Sequence, residues 1–186
     1  MPASKASRFF ERVDQREFLL CQSINGCLRY RFVLPYFRVA SRLGDGWFWY
    51  ALILALPLLH PEAGLAVALL MATTGGVCTL TYKGLKKTLI RERPFISFPA
   101  IHCGTPPLDR YSFPSGHTLH AVCFNTLLAM TLPDLALLIL PFTLSVAASR
   151  VVLGLHYPSD VLAGAVIGGG MGTIASYALP TFMPMA

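Results

Sequence analysis

His156 and Asp160 lie four residues apart in the stretch SRVVLGLHYPSD, Ser149 to Asp160, inside one of the most apolar parts of the chain. Near the start of a helix, that spacing lets the Asp160 carboxylate hold the His156 ring. An imidazole oriented in this way is a plausible nucleophile. Arg150, in the same stretch, closes the preceding apolar segment. Lys86 and Arg93 are seven residues apart, so on one continuous helix they share a face and point at one anion, with Pro94 ending that helix. In PSGH, Pro114 to His117, loop gives way to helix. There Gly116 lets the backbone approach a ligand, and the N–H groups of the first turn favour an anion, with His117 beside it.

The set is three permanent cations, a helix amino terminus and two histidines from three regions of sequence, and it suits phosphoryl transfer. Cations and oriented N–H groups neutralise the equatorial oxygens, one histidine attacks, and the other protonates the leaving oxygen. This chemistry requires no metal or other cofactor, and the carboxylate clusters that hold magnesium are missing from the sequence.

The elements that must position these residues belong in a membrane. The chain has 186 residues, 54% of them hydrophobic and only 13% charged, with a mean hydropathy of +0.57, where soluble domains are about a quarter charged. The expected fold is all-α: a polytopic membrane helix bundle of about five spanning helices, preceded by amphipathic interfacial helices. Residues 1–45 form the interfacial segment and residues 46–186 the bundle. Apolar runs place the spans near 46–61, 63–82, 115–132, 135–149 and 160–179. A sixth, over Phe18 to Tyr36, would bring Arg29 and Arg31 into hydrocarbon. Gly164, Gly168 and Gly172 are spaced for close helix packing in the last span. Counting crossings through five spans gathers all the unusual polar residues on one side.

The formal net charge is +6, and Lys5, Arg8, Arg12, Arg16, Arg29, Arg31, Arg38 and Arg42 supply eight of the 15 Lys and Arg before Asp45. Basic flanks on apolar spans meet lipid headgroups or phosphate, not nucleic acid. The five cysteines show no CxxC spacing and read as small hydrophobes without a disulfide or zinc framework. No cleavable signal peptide is expected.

Taken together the motifs resemble the type 2 phosphatidic acid phosphatase superfamily, whose signature is Lys-x6-Arg-Pro, Pro-Ser-Gly-His and Ser-Arg-x5-His-x3-Asp. KKTLIRERP, PSGH and SRVVLGLHYPSD carry all three in order between Lys86 and Asp160. The resemblance implies that His156 forms a phosphohistidine, that Asp160 orients it, and that His117 is the acid for the leaving group and then the base for water. It implies a phosphate cradle of Lys86, Arg93, Arg150, Ser115 and the Gly116 amide, and six spans in many members.

The substrate implied is a membrane lipid phosphate, a polyprenyl diphosphate first, then phosphatidylglycerophosphate or phosphatidic acid, at a bacterial inner membrane. Two other classes share these motifs. Vanadium haloperoxidases use the same cradle but are soluble, and a non-catalytic lipid-phosphate binder has no use for an oriented nucleophile. Sidedness is pulled both ways: the positive-inside tendency points the site to the cytoplasm, and the family resemblance points it outward.

The remaining polar residues read as structural. His60, His102 and His120 belong to no motif, although His120 lies one helical turn after His117 and can face the cavity. Cys103, Asp109, Arg110 and Tyr111 read as a solvated loop, Asn125 as an interhelical hydrogen-bond partner, and GWFWY, Gly46 to Tyr50, as an interfacial belt.

Overall fold

The computed structural model describes residues 5–178, and its regular elements are all helical. In chain order they are α1 (Lys5–Asn25), α2 (Val33–Arg42), α3 (Phe48–Leu59), α4 (Gly64–Leu89), α5 (Pro94–Ser97), α6 (Gly116–Thr131), α7 (Pro133–Val152) and α8 (Pro158–Ser176). Each of the five expected apolar runs is a helix, and α4 runs seven residues beyond Tyr82. Leu179, the expected end of the last span, lies outside the described residues.

The stretches Gly64–Ser97 and Pro133–Val152 are long and apolar enough to cross a membrane. Large apolar side chains also cover the outside of the bundle, among them Leu54 and Leu58 of α3, Leu80 of α4, Leu138 of α7 and Leu162 and Ile174 of α8. A helix apolar on both its buried and its outer face is matched to lipid. No single helix covers Phe18 to Tyr36: α1 stops at Asn25, a 3₁₀ turn takes Gly26–Arg29, and α2 begins at Val33. Arg29 and Arg31 lie at this break, each over its neighbouring ring, Tyr30 and Phe32. Asn25 fixes the break by donating from Nδ2 to the carbonyls of His102 and Val152, both at 2.9 Å.

Helix α6 is the axis of the bundle, with Leu119, Ala121, Cys123, Leu127 and Leu128 fully buried. It lies closest to α8, because the glycine stripe leaves no side chain between them. A Cβ on Gly164 would stand 2.6 Å from the Ser115 carbonyl oxygen, and Cβ atoms on Gly168 and Gly172 would run into the carbonyls of Leu119 and Cys123. Backbone cannot yield as a side-chain tip can, so Gly168→Ala is expected to cost about 2 kcal/mol or more, read as a lower midpoint of thermal unfolding in detergent.

Around α6 the core joins Trp49, Leu56, Met71, Phe124 and Val146. Trp49 corrects the expectation of a wholly interfacial aromatic belt. Trp47 and Tyr50 are exposed, but Trp49 is buried against Phe124 at 5.2 Å and Phe142 at 5.6 Å. Helical rotation turns it inward while its neighbours face out. Asn125 of α6 accepts a hydrogen bond from Thr143 of α7 at 3.4 Å, the interhelical contact expected of it. All five cysteines are free thiols.

Candidate active site

The three motifs meet at one end of the bundle. Lys86 stands in the last turn of α4, but Arg93 does not continue that helix. The helix stops at Leu89, Ile90 turns left-handed at φ 38°, and Arg93 caps α5 from an extended conformation. The one-helix expectation is therefore corrected: Pro94 opens α5 at its first position, where a missing N–H costs nothing, and does not end α4.

The two cations converge on Asp109 instead. Lys86 Nζ donates to both carboxylate oxygens of Asp109, at 2.8 and 2.7 Å, and Arg93 Nη2 donates to Oδ1 at 2.9 Å. Burial alone would raise the Asp109 pKa, but Lys86 and Arg93 outweigh it and hold the group below the usual carboxylate range. The solvated-loop reading of Asp109 missed this role. A signal for it was present, since Asp109 is the only acid in a loop that must close over three cations.

His156 lies in the loop between α7 and α8, 1% exposed. Arg93 Nη1 approaches its Nε2 at 3.2 Å and donates to the Leu155 carbonyl at 2.8 Å. Burial, and then the charges of Arg93, Arg150 and Lys86, push the His156 pKa well below the ordinary imidazole value. The ring is therefore neutral at physiological pH. Asp160 Oδ2 faces His156 Nδ1 at 3.5 Å, a separation longer than a formed hydrogen bond. The carboxylate is itself fixed, since Oδ2 accepts the Tyr157 N–H at 2.9 Å and Oδ1 accepts from Arg91 Nη1 at 2.5 Å.

Arg91 is the other residue that sequence reasoning passed over. It is 1% exposed and donates to Asp14, Glu17, Ser159 and Asp160, with its guanidinium 4.0 Å over the Tyr157 ring. Glu17 also accepts the Ser159 N–H and hydroxyl, at 2.8 and 2.6 Å. Helix α1 is thereby tied to the start of α8. The signal available was a second arginine in RERP, two residues before the Arg93 of the motif.

Arg150, in the last turn of α7, is 3% exposed. Its Nη1 donates to Ser41 Oγ at 2.5 Å, and its Nε has no partner among the described residues. A buried guanidinium with an unused donor fits an anion. Ser115 precedes α6, donating its N–H to the Asp160 carbonyl at 3.1 Å and pairing its hydroxyl with Thr118 at 2.9 Å. Gly116 begins the helix, and His117 Nε2 lies 3.4 Å from Asp45 Oδ1. His120 is held between helices by Gly116, Thr79 and Gly75, and it also faces the cavity, as its place one turn after His117 allows.

A cavity of about 660 Å³ contains this constellation. Lys86, Arg93, Arg150, His117 and His156 line its polar end, and Trp49, Tyr50, Ile53, Leu54 and Met71 line the rest. Tyr50 and Leu54 also belong to the exposed apolar surface. The cavity thus runs from buried cations to the lipid-facing side of α3.

Residues 63–184 match the sequence pattern of the PAP2 superfamily. The chain belongs to the PAP2 superfamily. The family and the apolar helices together make it a membrane protein. Over 82 residues this PAP2 protein is 44% identical to decaprenylphosphoryl-5-phosphoribose phosphatase of Mycolicibacterium smegmatis, a match covering 43% of this chain and 42% of that one. Over 115 residues it is 33% identical to phosphatidylglycerophosphatase B of Bacillus subtilis, covering 54% and 52%. The chain thus spans about half the length of these relatives. Its fold is similar to that of the transmembrane PAP2-type phosphatidylglycerolphosphate phosphatase of Bacillus subtilis, with a TM-score of 0.72 at 22% identity over 97% of both chains. Aquifex aeolicus LpxE follows at 0.70 and 25% identity, covering 86% of this chain and 93% of that one.

Proposed function

We propose that this PAP2 protein is a lipid phosphatase that removes a terminal phosphate through a phosphohistidine on His156, without a metal. One observation carries the reading: buried His156 lies in the same cavity as Lys86, Arg93 and Arg150, and that cavity extends to the lipid-facing surface. The phosphoryl group sits among the three cations, Ser115 and the Gly116 N–H. His156 Nε2 attacks phosphorus, the P–O bond to the lipid breaks, and His117 gives the leaving oxygen its proton. His117 then takes a proton from water, which attacks phosphorus, the N–P bond breaks and inorganic phosphate leaves. Asp160 steadies the ring and the positive charge that develops on it.

The substrate class is a polyprenyl-linked phosphate. The apolar wall of the cavity and the kinship with a decaprenylphosphoryl-5-phosphoribose phosphatase support this choice. Phosphate release by protein purified in detergent with a chelator tests it, across a polyprenyl diphosphate, a polyprenylphosphoryl phosphoribose, phosphatidylglycerophosphate, phosphatidic acid and a soluble ester. Release from a polyprenyl substrate above the others is expected, and release from none of them overturns the reading.

Helices α3, α4, α6, α7 and α8 are proposed as five crossings of a bacterial inner membrane. Exposed Cys103 lies in the loop at the site end, so an impermeant maleimide added to intact cells reads which face carries the site. Asp109 occupies two of the cations that must take the phosphate. Asp109→Asn removes that competing charge and is expected to tighten orthovanadate inhibition roughly tenfold, about 1.4 kcal/mol.

A further inference from the structure

The family signature begins at Lys86, yet the cavity also receives residues from a segment far upstream. Gly44, Asp45 and Gly46 line it, and with Ser41 they belong to SRLGDG, Ser41 to Gly46, which runs from the last turn of α2 into the link to α3. The link is a π-helical turn over Leu43–Trp47, and Gly46 takes φ 134°, a conformation that side chains rarely adopt. Single π turns and strained backbone concentrate where a side chain must be aimed. Gly44 allows the link to lie against α7, since a Cβ there would stand 2.7 Å from Val146. Two polar groups are aimed by this geometry. Ser41, 5% exposed, takes the hydrogen bond from Arg150 Nη1, and Asp45 faces His117 Nε2 at 3.4 Å from the wall of the same cavity.

We infer that the kinked SRLGDG link is a fourth part of the active site, in which Ser41 positions the guanidinium of Arg150 and Asp45 positions the imidazole of His117 for proton delivery. The inference rests on the phosphatase reading above. A carboxylate beside one ring nitrogen orients the ring and directs the opposite nitrogen to the reaction. With Asp45 at Nε2, His117 presents Nδ1 to the leaving oxygen. When His156 attacks and the P–O bond breaks, the Nδ1 proton passes to that oxygen and Asp45 remains ionised. Ser41 acts on the other side of the phosphate, by fixing a cation whose Nε has no partner among the described residues.

Leaving-group dependence separates this role from mere packing, because an alkoxide leaving group needs the acid and a nitrophenolate scarcely does. Wild type, Asp45→Asn, His117→Ala and the double variant are compared on an alkyl lipid phosphate and on p-nitrophenyl phosphate. Asp45→Asn is expected to lower the alkyl-to-aryl ratio of kcat/KM about 30-fold. His117→Ala should shift the ratio in the same direction, and the double variant should go no further than His117→Ala. Ser41→Ala should weaken orthovanadate inhibition about fivefold and leave the ratio unchanged. Equal losses of Asp45→Asn on both substrates, or additive losses in the double variant, would overturn the positioning role while the phosphatase reading stands. If wild type hydrolyses neither ester, both fall together.

Discussion

His156→Ala is expected to lower phosphate release from the lipid substrate by about 10⁴-fold or more, since removing the nucleophile of a group that acts as a unit removes nearly all of its chemistry. The expectation follows from burial as well as from the motif. A ring 1% exposed, with Arg93 at 3.2 Å from Nε2, is held neutral and in place before substrate arrives. The alanine variant keeps Lys86, Arg93 and Arg150, so it should still bind orthovanadate in detergent. Quenching wild type during turnover of ³²P-labelled substrate should trap acid-labile phosphate on the protein, and the variant should carry none. Comparable release by the two proteins would show that the nucleophile lies elsewhere.

The second large effect falls on stability. Arg91→Ala leaves three carboxylates, Asp14, Glu17 and Asp160, without the guanidinium that joins them, and Asp160 is fully buried. Removing one partner from a buried ion cluster costs about 3–5 kcal/mol, because the remaining charges keep their desolvation penalty. For a chain of this size that is a fall of roughly 10 °C in the unfolding midpoint. Arg91→Lys should recover only part of it, since an ammonium cannot offer planar paired donors to several carboxylates. Activity should fall as well, because Arg91 Nη1 holds the Asp160 oxygen that is not turned to His156. An unchanged midpoint in Arg91→Ala would mean that the cluster contributes nothing net.

Why Arg91 and Asp109 escaped a reading of the sequence is a matter of physics. The signature residues are legible because their chemistry is unusual in an apolar chain: Lys86, Arg93, His117, Arg150, His156 and Asp160 each cost free energy near hydrocarbon unless they act together. Arg91 and Asp109 are as deeply committed but sit in segments rich in charge or proline, where a solvated loop is the ordinary outcome. Only the return of the chain over the end of the bundle buries Arg91 and sets half-exposed Asp109 against Lys86 and Arg93. Trp49 is the same lesson in an apolar setting, since a belt and a core residue differ only in which way the helix is rotated.

The amino-acid sequence by itself determined the helices, their apolar character and the three motifs, because periodicity, glycine spacing and charge in a greasy chain are local quantities. It also determined which histidines carry the signature. The tertiary structure decided that Lys86 and Arg93 meet through Asp109 and not along one helix, that α1 is tied to Asp160 through Arg91, and that the end of α2 and the glycine kink after it set Ser41 on Arg150 and Asp45 beside His117. Those contacts join residues between 16 and 109 positions apart. No local propensity encodes a pairing at that distance, which forms only when helix packing has closed the loops between its partners.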